Sequence, residues 1–157
     1  GMSNVDVNYL NKNNIKVFST PDGPVNSVAE LTVSTIISLL RHMHPQNNQL
    51  HNKNWERTIG AEINGKKVFI FGYGRIGRRV AEILNFLNAD INIVDPYIKS
   101  DESKYKLVNK DQALNHADII TIHSSGDEEI INENDFLNFS VCRIVLLLEK
   151  KIKQYSV

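Results

Sequence analysis

The chain has 157 residues, a length that suits one domain with a hydrophobic core. Its 18 basic and 18 acidic residues give a formal net charge of zero, so its charge does not favour nucleic acid or an anionic membrane surface as a partner. The single cysteine, Cys142, excludes a disulfide within the chain and is typical of a reducing compartment, and no apolar run is long enough to span a bilayer. We therefore expect a cytoplasmic protein.

The first 24 residues predict a helix, a strand and a turn. Residues 5–13 are weakly amphipathic, which favours a helix. Residues 15–19 predict a short strand, and residues 20–24, which contain two prolines and a glycine, predict a turn.

A long helix is predicted after that turn. Ser27 and Glu30 have the spacing of a capping box, in which the serine hydroxyl bonds the backbone N–H of the glutamate and the carboxylate reaches back. We expect this helix to run from Ser27 to about His44 and to end before Pro45. Its broad apolar face consists of Val28, Leu31, Thr35, Ile36, Leu39, Leu40 and Met43. A face of this width needs a large partner, which is the sheet, a second copy of the chain, or both.

The segment after that helix is polar. Residues 46–54 are rich in asparagine and predict a loop or a loosely formed helix. Residues 55–65 have no regular pattern, and we expect Trp55 to anchor them against the body of the domain.

The strongest pattern in the sequence is a strand, a glycine turn, a helix, a second strand and an acid. Residues 68–71 are uniformly apolar, as in a parallel strand that is buried on both faces. The G-x-G-x-x-G turn of residues 72–77 follows at once, and helical spacing of apolar residues continues to Leu87. Residues 91–94 predict the next strand, and Asp95 stands at its end.

This pattern predicts a dinucleotide site. Gly72 permits the tight turn, Gly74 lets the backbone approach a pyrophosphate, and Gly77 lets the helix pack closely on the strand. The N–H groups at the start of the helix then face the anion. Asp95, roughly 20 residues after the turn, is placed to accept the ribose hydroxyls and would repel a 2′-phosphate, so we expect NAD rather than NADP. The alternative is a glycine turn in a doubly wound fold that binds no nucleotide.

Three arginines lie in or near the first turn of this helix, where the helix dipole disfavours cations. Arg75, inside the glycine turn, is the best candidate to face the pyrophosphate. Arg78 and Arg79 are interpreted as a solvated outer face.

The remainder of the chain alternates strands and helices. The predicted elements are a strand at 105–108, a helix at 110–116, a strand at 118–123, a helix at 132–138 that Asn132 caps, and a strand at 143–148. This alternation is typical of an α/β fold with a doubly wound parallel sheet, a Rossmann domain. Two side chains near strand ends have two interpretations each. His123 lines the cofactor cleft or is a core histidine, and Tyr97 packs beside the adenine or on the surface.

Five motifs occur in one order and spacing along the chain, at residues 20–30, 55–57, 72–77, 95–97 and 117–123. Together they resemble the D-isomer-specific 2-hydroxyacid dehydrogenases, with a particular likeness to the phosphoglycerate dehydrogenase branch. The resemblance implies hydride transfer between NAD and a 2-hydroxy or 2-keto acid. It implies an NAD-binding Rossmann domain over residues 25–157, truncated at its C-terminal end, and a remnant of the substrate domain's last helix and strand over residues 1–24. It also implies a homodimer that forms through helix 27–44 and the arm after it.

The turn and the resemblance together assign cofactor binding to ten residues. They are Gly72, Tyr73, Gly74, Arg75, Ile76, Gly77, Asp95, Pro96, Tyr97 and His123. We recognise no metal-ligand spacing and assign no metal.

No catalytic residue is assigned, because the sequence after about Phe139 departs from the family. Lys150 occupies the position of the family's catalytic arginine, and a lysine lacks the planar fork that clamps a carboxylate. The family's catalytic glutamate and histidine lie further on and have no counterpart in this sequence. His123 matches a position near the nicotinamide and is not the catalytic histidine.

Two hypotheses about function remain open. In the first, this is the NAD-binding domain of a 2-hydroxyacid dehydrogenase-like oxidoreductase, which binds NAD and by itself turns over no 2-hydroxy acid. In the second, it is a non-catalytic module that binds NAD or only dimerises. A relative of adenosylhomocysteine hydrolase is disfavoured by the motifs at residues 22–30 and at Trp55. The sequence does not identify a substrate, because it encodes no substrate pocket.

Overall fold

A computed structural model describes residues 5–125, 130–137 and 144–147 of the chain. Its centre is one sheet of five parallel strands in the spatial order β3-β2-β1-β4-β5. The strands are β1 (Lys67–Phe71), β2 (Asp90–Val94), β3 (Lys106–Leu107), β4 (Ile119–Ile122) and β5 (Ile144–Leu147). The strand order reverses between β1 and β4, which makes the carboxyl ends of these two strands the switch point of a doubly wound sheet. The predicted α/β Rossmann fold is confirmed.

Six helices accompany the sheet in the described residues. They are α1 (Val7–Lys12), α2 (Val25–Leu40), α3 (Met43–His51), α4 (Arg75–Phe86), α5 (Lys110–His116) and α6 (Glu133–Leu137), and a short 3₁₀ helix covers Ser100–Glu102. No helix in the described ranges is both long enough and apolar enough to cross a membrane. The prediction that Asn132 caps the last helix is confirmed, because its side chain accepts the backbone N–H of Asp135 at 3.1 Å.

The sheet is buried on both faces, which explains why β1 after Lys67 is entirely apolar and why β4 is apolar except for Thr121. Side chains alternate across a strand, so Val68 and Ile70 point to one face while Phe69 and Phe71 point to the other. On the first face α2 and α4 cover the sheet. On the second face α5 covers it through Ala113 and Leu114. Because helices pack on both faces of the sheet, the positions of the strand ends are fixed, and the candidate site lies at these ends.

Residues 15–19 are not a strand, contrary to the prediction. The structure gives them no strand partner in the part of the chain that it describes. Ile15 instead donates its backbone N–H to the carbonyl of Leu10 at 2.9 Å, and the side chain of Phe18 is 89% exposed. A strand is stabilised by its neighbour, so apolar composition alone does not form one.

The predicted capping box at the start of the long helix is also wrong. The helix begins two residues earlier, at Val25, and Pro24 is its N-cap without a side-chain hydrogen bond. Ser27 therefore lies within the first turn, where its hydroxyl donates to the carbonyl of Pro24 at 3.0 Å. Pro24 already has helical backbone angles, φ of −85° and ψ of −1°, so the chain enters the helix before Ser27 and the serine is not its N-cap.

Pro45 does not end a helix, as predicted, but lies in the first turn of a new one. The long helix α2 ends at Leu40, and His42 has a left-handed backbone with φ of 53°. Helix α3 then begins at Met43, so the ring of Pro45 occupies a first-turn position that needs no N–H donor. The polar residues up to His51 are therefore helical, which agrees with the helix and not with the loop among the two interpretations of this segment.

Helix α2 buries a face that shares only Ile36 and Leu40 with the apolar face predicted from the sequence. Its buried residues are Ala29, Thr32, Val33, Ile36 and Leu40. Leu31 and Leu39 of the predicted face are 55% and 49% exposed, and Met43 at the start of α3 is 55% exposed. The helix thus has one apolar face against α4 and the sheet, and a second apolar face in contact with solvent.

Trp55 does not anchor its segment against the body of the domain. Its side chain is 80% exposed, and Ile59 farther along the same irregular segment is 89% exposed. The segment is held instead by backbone contacts, because Ala61 donates its N–H to the carbonyl of Leu40 at 2.8 Å.

Candidate functional site

The glycine turn joins β1 to α4 and passes close to the end of β4. Gly72 has φ of 90°, a backbone conformation that favours glycine, and a Cβ there would lie 2.5 Å from the backbone nitrogen of Ser124. A Cβ on Gly77 would collide with the carbonyl oxygen of Gly72. These two glycines therefore hold the turn together.

Gly74 has the opposite environment. A Cβ built on it would meet no atom within 4 Å, so its side of the turn faces open space. Gly74 is also the N-cap of α4, and no side chain caps this helix start. The first-turn N–H groups are thus presented, together with the positive end of the helix dipole, to whatever occupies that space. This arrangement suits an anion.

Asp95 connects the glycine turn to the end of β2. Its Oδ2 accepts the backbone N–H of Tyr73 at 2.7 Å, and its Oδ1 accepts the backbone N–H of Tyr97 at 2.9 Å. Each carboxylate oxygen has two lone-pair directions, so each retains one for a ligand hydroxyl. The two bonds fix the carboxylate at the rim of the open space beside Gly74.

These elements enclose a cavity of about 470 Å³ at the carboxyl ends of β1, β2 and β4, a volume in the range of small-molecule sites. Its lining includes eight of the ten residues assigned to cofactor binding: Gly72, Gly74, Arg75, Ile76, Asp95, Pro96, Tyr97 and His123. The structure therefore brings together residues as far apart in the sequence as Gly72 and His123. Tyr97 is 89% exposed at the rim of this cavity.

The other two assigned residues, Tyr73 and Gly77, do not line the cavity. The side chain of Tyr73 is 4% exposed in the core, where its ring meets that of Tyr105 edge-on at 6.2 Å. The Tyr73 side chain is therefore turned away from this cavity, whereas the Tyr73 backbone N–H supports the site by bonding Asp95. The assignment of Tyr73 to cofactor binding stays a prediction. Gly77 supports the site indirectly, because the absence of a side chain there lets α4 pack closely against the turn.

The arginines of α4 differ in their partners. Arg78 and Arg79 are exposed, in agreement with their interpretation as an outer face, but both make specific contacts. The guanidinium of Arg78 lies 4.4 Å from the ring centroid of Tyr73. Arg79 donates to Asn26 at 3.1 Å and pairs with Glu82 at 3.1 Å, which ties α4 to the start of α2.

The two cations that line the cavity are both engaged in ion pairs. Arg75 donates through Nε to Oδ1 of Asp22 at 2.8 Å. Lys110, at the start of α5, places its Nζ 2.6 Å from Oδ2 of Asp135 in α6. Neither Asp22 nor Asp135 lines the cavity.

His123 satisfies both of its interpretations. It lines the cavity, and it is also a half-buried histidine with structural contacts. Its backbone N–H donates to the carbonyl of Phe71 at 2.7 Å, and its ring Nε2 lies 2.9 Å from Oγ1 of Thr121. Burial lowers the pKa of His123 to about 4, so the imidazole is neutral at pH 7.

Several lining residues were missed by the sequence analysis: Pro21, Lys110, Ser124, Ser125 and Ile130. Ser124 is the most informative of them, because its Oγ is buried and has no hydrogen-bond partner within the described part of the chain. A buried hydroxyl without a partner is unfavourable unless a ligand completes it. The signal that could have found Ser124 is its place directly after the carboxyl end of β4, at the switch point of the sheet.

Comparison with known proteins gives a consistent result. The family model described as D-isomer specific 2-hydroxyacid dehydrogenase, NAD binding domain, matches residues 33–140. The YoaD protein of Bacillus subtilis (strain 168), whose name places it among the 2-hydroxyacid dehydrogenases, is 32% identical over 149 residues, which are 90% of this chain and 43% of that protein. D-3-phosphoglycerate dehydrogenase of the same organism is 33% identical over 134 residues, which are 82% of this chain and 26% of that enzyme.

A solved structure with a bound dinucleotide has the same fold. The crystal structure of D-lactate dehydrogenase from Aquifex aeolicus, complexed with NAD and lactic acid, superposes with a TM-score of 0.75 at 25% sequence identity. The match covers 88% of this chain and 44% of that chain. In all three comparisons the present chain spans less than half the length of its relative.

Proposed function

Because this chain belongs to the D-isomer-specific 2-hydroxyacid dehydrogenases and contains their NAD-binding domain, we propose that NAD occupies the cavity at the carboxyl ends of β1, β2 and β4. The observation that carries this proposal is the open side of Gly74 at the uncapped start of α4. A pyrophosphate fits there, because it meets first-turn N–H groups and no side chain. The partnerless hydroxyl of Ser124 supports a polar ligand in the same cavity.

Each part of the cofactor has residues that suit it. The pyrophosphate suits the backbone of the glycine turn, and the adenosine ribose suits the carboxylate of Asp95, whose oxygens each retain an acceptor site. The adenine suits the apolar rim formed by Pro96, Tyr97 and Ile130. His123, neutral at pH 7, and Ser124 line the part of the cavity at the end of β4, where the family resemblance expects the nicotinamide.

The carboxylate of Asp95 also sets the choice between NAD and NADP. A 2′-phosphate would bring its negative charges against this carboxylate. Asp95 is held by two backbone N–H groups and does not turn away without losing both. NADP is therefore expected to bind much more weakly than NAD.

Calorimetric titration with NAD and with NADP tests this proposal directly. We expect saturable binding of NAD and at least tenfold weaker binding of NADP, because a repulsion of about 1.4 kcal/mol already changes an equilibrium constant tenfold. The absence of both heat and thermal stabilisation at millimolar NAD would contradict the proposal, and equal affinity for the two cofactors would contradict the role of Asp95.

The reaction of the whole enzyme is a further part of the proposal. When bound, the nicotinamide ring of NAD accepts or releases a hydride. We infer that a full-length enzyme containing this domain would transfer that hydride to or from a 2-hydroxy or 2-keto acid. We also infer that the 157-residue chain by itself does not. Lys150, at the position of the family's catalytic arginine, lies outside the described residues, and so do Arg143 and Leu148 at the two ends of the last predicted strand. The proposal rests on the residue types in the sequence.

The N-terminal residues are proposed to belong to the family's substrate domain. The boundary remains that of the sequence analysis, with residues 1–24 before it and residues 25–157 in the NAD-binding domain. Supporting this division, the side chain of Phe18 is 89% exposed and that of Ile15 is 48% exposed, as expected for apolar residues whose neighbours lie in another domain. A cytoplasmic location is proposed with it, on the same grounds as in the sequence analysis.

A homodimer is the second proposed property. The exposed apolar face of α2 and α3, formed by Leu31, Leu39, Met43 and Leu50, is the observation that favours it, because each of these side chains is about half exposed. The family resemblance places the subunit contact on the same helix and on the arm that follows it. A second copy of this chain is therefore the proposed occupant of that face.

A further inference from the structure

The cavity has two cations in its lining, and each is paired with an acid outside the lining. Arg75 pairs with Asp22, and Lys110 pairs with Asp135. A dinucleotide carries two negative charges on its pyrophosphate. The two cations that line the cavity are thus already neutralised by aspartates when the dinucleotide arrives. The pyrophosphate can contact either cation only if it shares that cation with its aspartate or displaces the aspartate.

The two ion pairs differ in how easily the cation can leave its aspartate. Asp135 is buried, with a side chain 13% exposed, and its Oδ2 also accepts the backbone N–H of Asn132 at 2.6 Å. That pair is part of the packing between α5 and α6. The Arg75–Asp22 pair is solvated, since its side chains are 63% and 82% exposed. Exposed pairs contribute little to stability, so this one opens at little cost.

Arg75 also lies between two concave surfaces. It lines the cavity, and it lines a shallow groove on the outside of α4, which we call the outer groove. The other residues of the outer groove are Asp22, Val25, Asn26, Arg78, Arg79 and Glu82. Asp22, the ion-pair partner of Arg75, lines the outer groove and does not line the cavity. As the first residue of α4, Arg75 is also repelled by the helix dipole, which a bound phosphate would offset.

From this geometry we propose that Asp22 sets the affinity of the site for pyrophosphate-containing ligands by competing for Arg75. In the free protein Arg75 pairs with Asp22 at the outer groove. When NAD binds, Arg75 leaves Asp22 and pairs with the pyrophosphate. The inference rests on the proposed function, and it makes Asp22 a positioning residue that acts through Arg75.

The test is a double-mutant cycle with two ligands. Dissociation constants are measured for NAD by calorimetry and for adenosine, which has no phosphate, by NMR titration. The variants are Asp22→Asn, Arg75→Gln and the double variant, with Asp101→Asn as a matched control that removes one exposed acid elsewhere. We expect Asp22→Asn to bind NAD about two- to fivefold more tightly, the range of an exposed ion pair, and to leave adenosine unchanged. In the Arg75→Gln background the same substitution should have no effect.

The outcomes separate this inference from the proposed function. Weaker NAD binding by Asp22→Asn would mean that Asp22 orients Arg75 toward the ligand, and it would overturn the competition. Three other results would also overturn the competition. They are an equal gain in NAD affinity in the Asp101→Asn control, an equal gain in adenosine affinity in Asp22→Asn, and a gain in NAD affinity that persists in the Arg75→Gln background. Normal NAD binding by the wild type with an unchanged constant in Asp22→Asn would overturn only this inference. No NAD binding by the wild type would overturn both.

Discussion

Gly74 and Gly77 are three residues apart in one turn, yet a side chain would have different consequences at the two positions. At Gly77 an added Cβ collides with the carbonyl oxygen of Gly72, which is backbone and has no room to move. At Gly74 the same atom meets nothing within 4 Å. The fold therefore requires the glycine at position 77, whereas at position 74 it leaves room for a side chain, and the proposed pyrophosphate site accounts for the glycine there.

We expect Gly74→Ala to separate ligand binding from stability. Its free energy of unfolding should fall by less than about 1 kcal/mol, the difference between glycine and alanine at an N-cap. Its affinity for NAD should fall about tenfold or more, because the methyl group occupies the path of the pyrophosphate. Urea unfolding and calorimetric titration measure the two quantities.

Gly77→Ala is the matched control for that substitution, because it adds the same methyl group in the same turn. It should lower the free energy of unfolding by at least about 2 kcal/mol, as for other overpacked sites. Equal NAD affinities of Gly74→Ala and the wild type would show that the pyrophosphate does not pass over Gly74.

His123 makes the stability of the domain depend on pH. Its pKa is about 4 in the folded protein and ordinary, near 6.5, in the unfolded chain. Below pH 6.5 the unfolded state therefore binds a proton that the folded state does not, so stability falls as the pH falls toward 4. From this pKa difference, His123 should remove roughly 2–3 kcal/mol between pH 7.5 and 4.5.

A His123→Gln variant should lack this component. Urea unfolding at both pH values should show a smaller loss of stability for the variant than for the wild type, since the carboxylates titrate in both proteins. His116→Gln, at an exposed position, serves as the control. An identical pH dependence of the wild type and His123→Gln would refute the burial of a neutral imidazole.

The sequence predicts most accurately the elements whose own residues carry a clear apolar period or turn motif. The strand before the glycine turn, the helix after it and helix α5 were found at or within a residue or two of their observed bounds. In these segments the apolar period, the turn chemistry and the tertiary packing agree. The cavity could be predicted for the same reason, because most of its lining follows the carboxyl ends of the buried strands.

Elements that depend on a partner could not be predicted from local pattern. Residues 15–19 have the composition of a strand and no strand beside them in the described ranges. Helix α2 carries apolar residues around most of its circumference, so its sequence does not say which face α4 and the sheet cover. Lys110 and Pro21 were missed in the cavity because each reaches it from a segment whose position is set only by the completed fold.

Helix α2 is also where a dimer can be tested. We expect the wild type to self-associate, and the double variant Leu31→Ser/Leu39→Ser to be monomeric, because both side chains are about half exposed on the second apolar face. Such surfaces are typical of subunit contacts. Sedimentation velocity over a range of concentrations measures the change.

The control for this variant is Phe86→Ser, which removes an apolar side chain that is 85% exposed at the end of α4. It should leave the association state unchanged. A wild type that stays monomeric at high micromolar concentration would exclude a dimer through α2, and a monomer produced equally by Phe86→Ser would assign the contact to another surface.

The whole molecule combines the cavity proposed for NAD with a length that is less than half that of the relatives compared above. We therefore propose that NAD binding and catalysis are separable in this chain. The cavity is formed by the switch point of the sheet and by α4, all within the described residues. We assign no residue of the sequence to orient a substrate carboxylate or to move a proton, and this stays a prediction from the family resemblance.

We expect the 157-residue chain to bind NAD and to oxidise no NADH with any member of a panel of 2-keto acids. Binding should appear as a rise in thermal stability, because a ligand at 100 times its dissociation constant stabilises the folded state by about 2.7 kcal/mol. The loss of NADH absorbance measures turnover in the same preparation. The Gly74→Ala variant is the control, since a contaminating dehydrogenase from the expression host would be unaffected by it. Turnover that disappears in Gly74→Ala would show that the chain does supply the catalytic groups, and the separation of binding from chemistry would then be wrong.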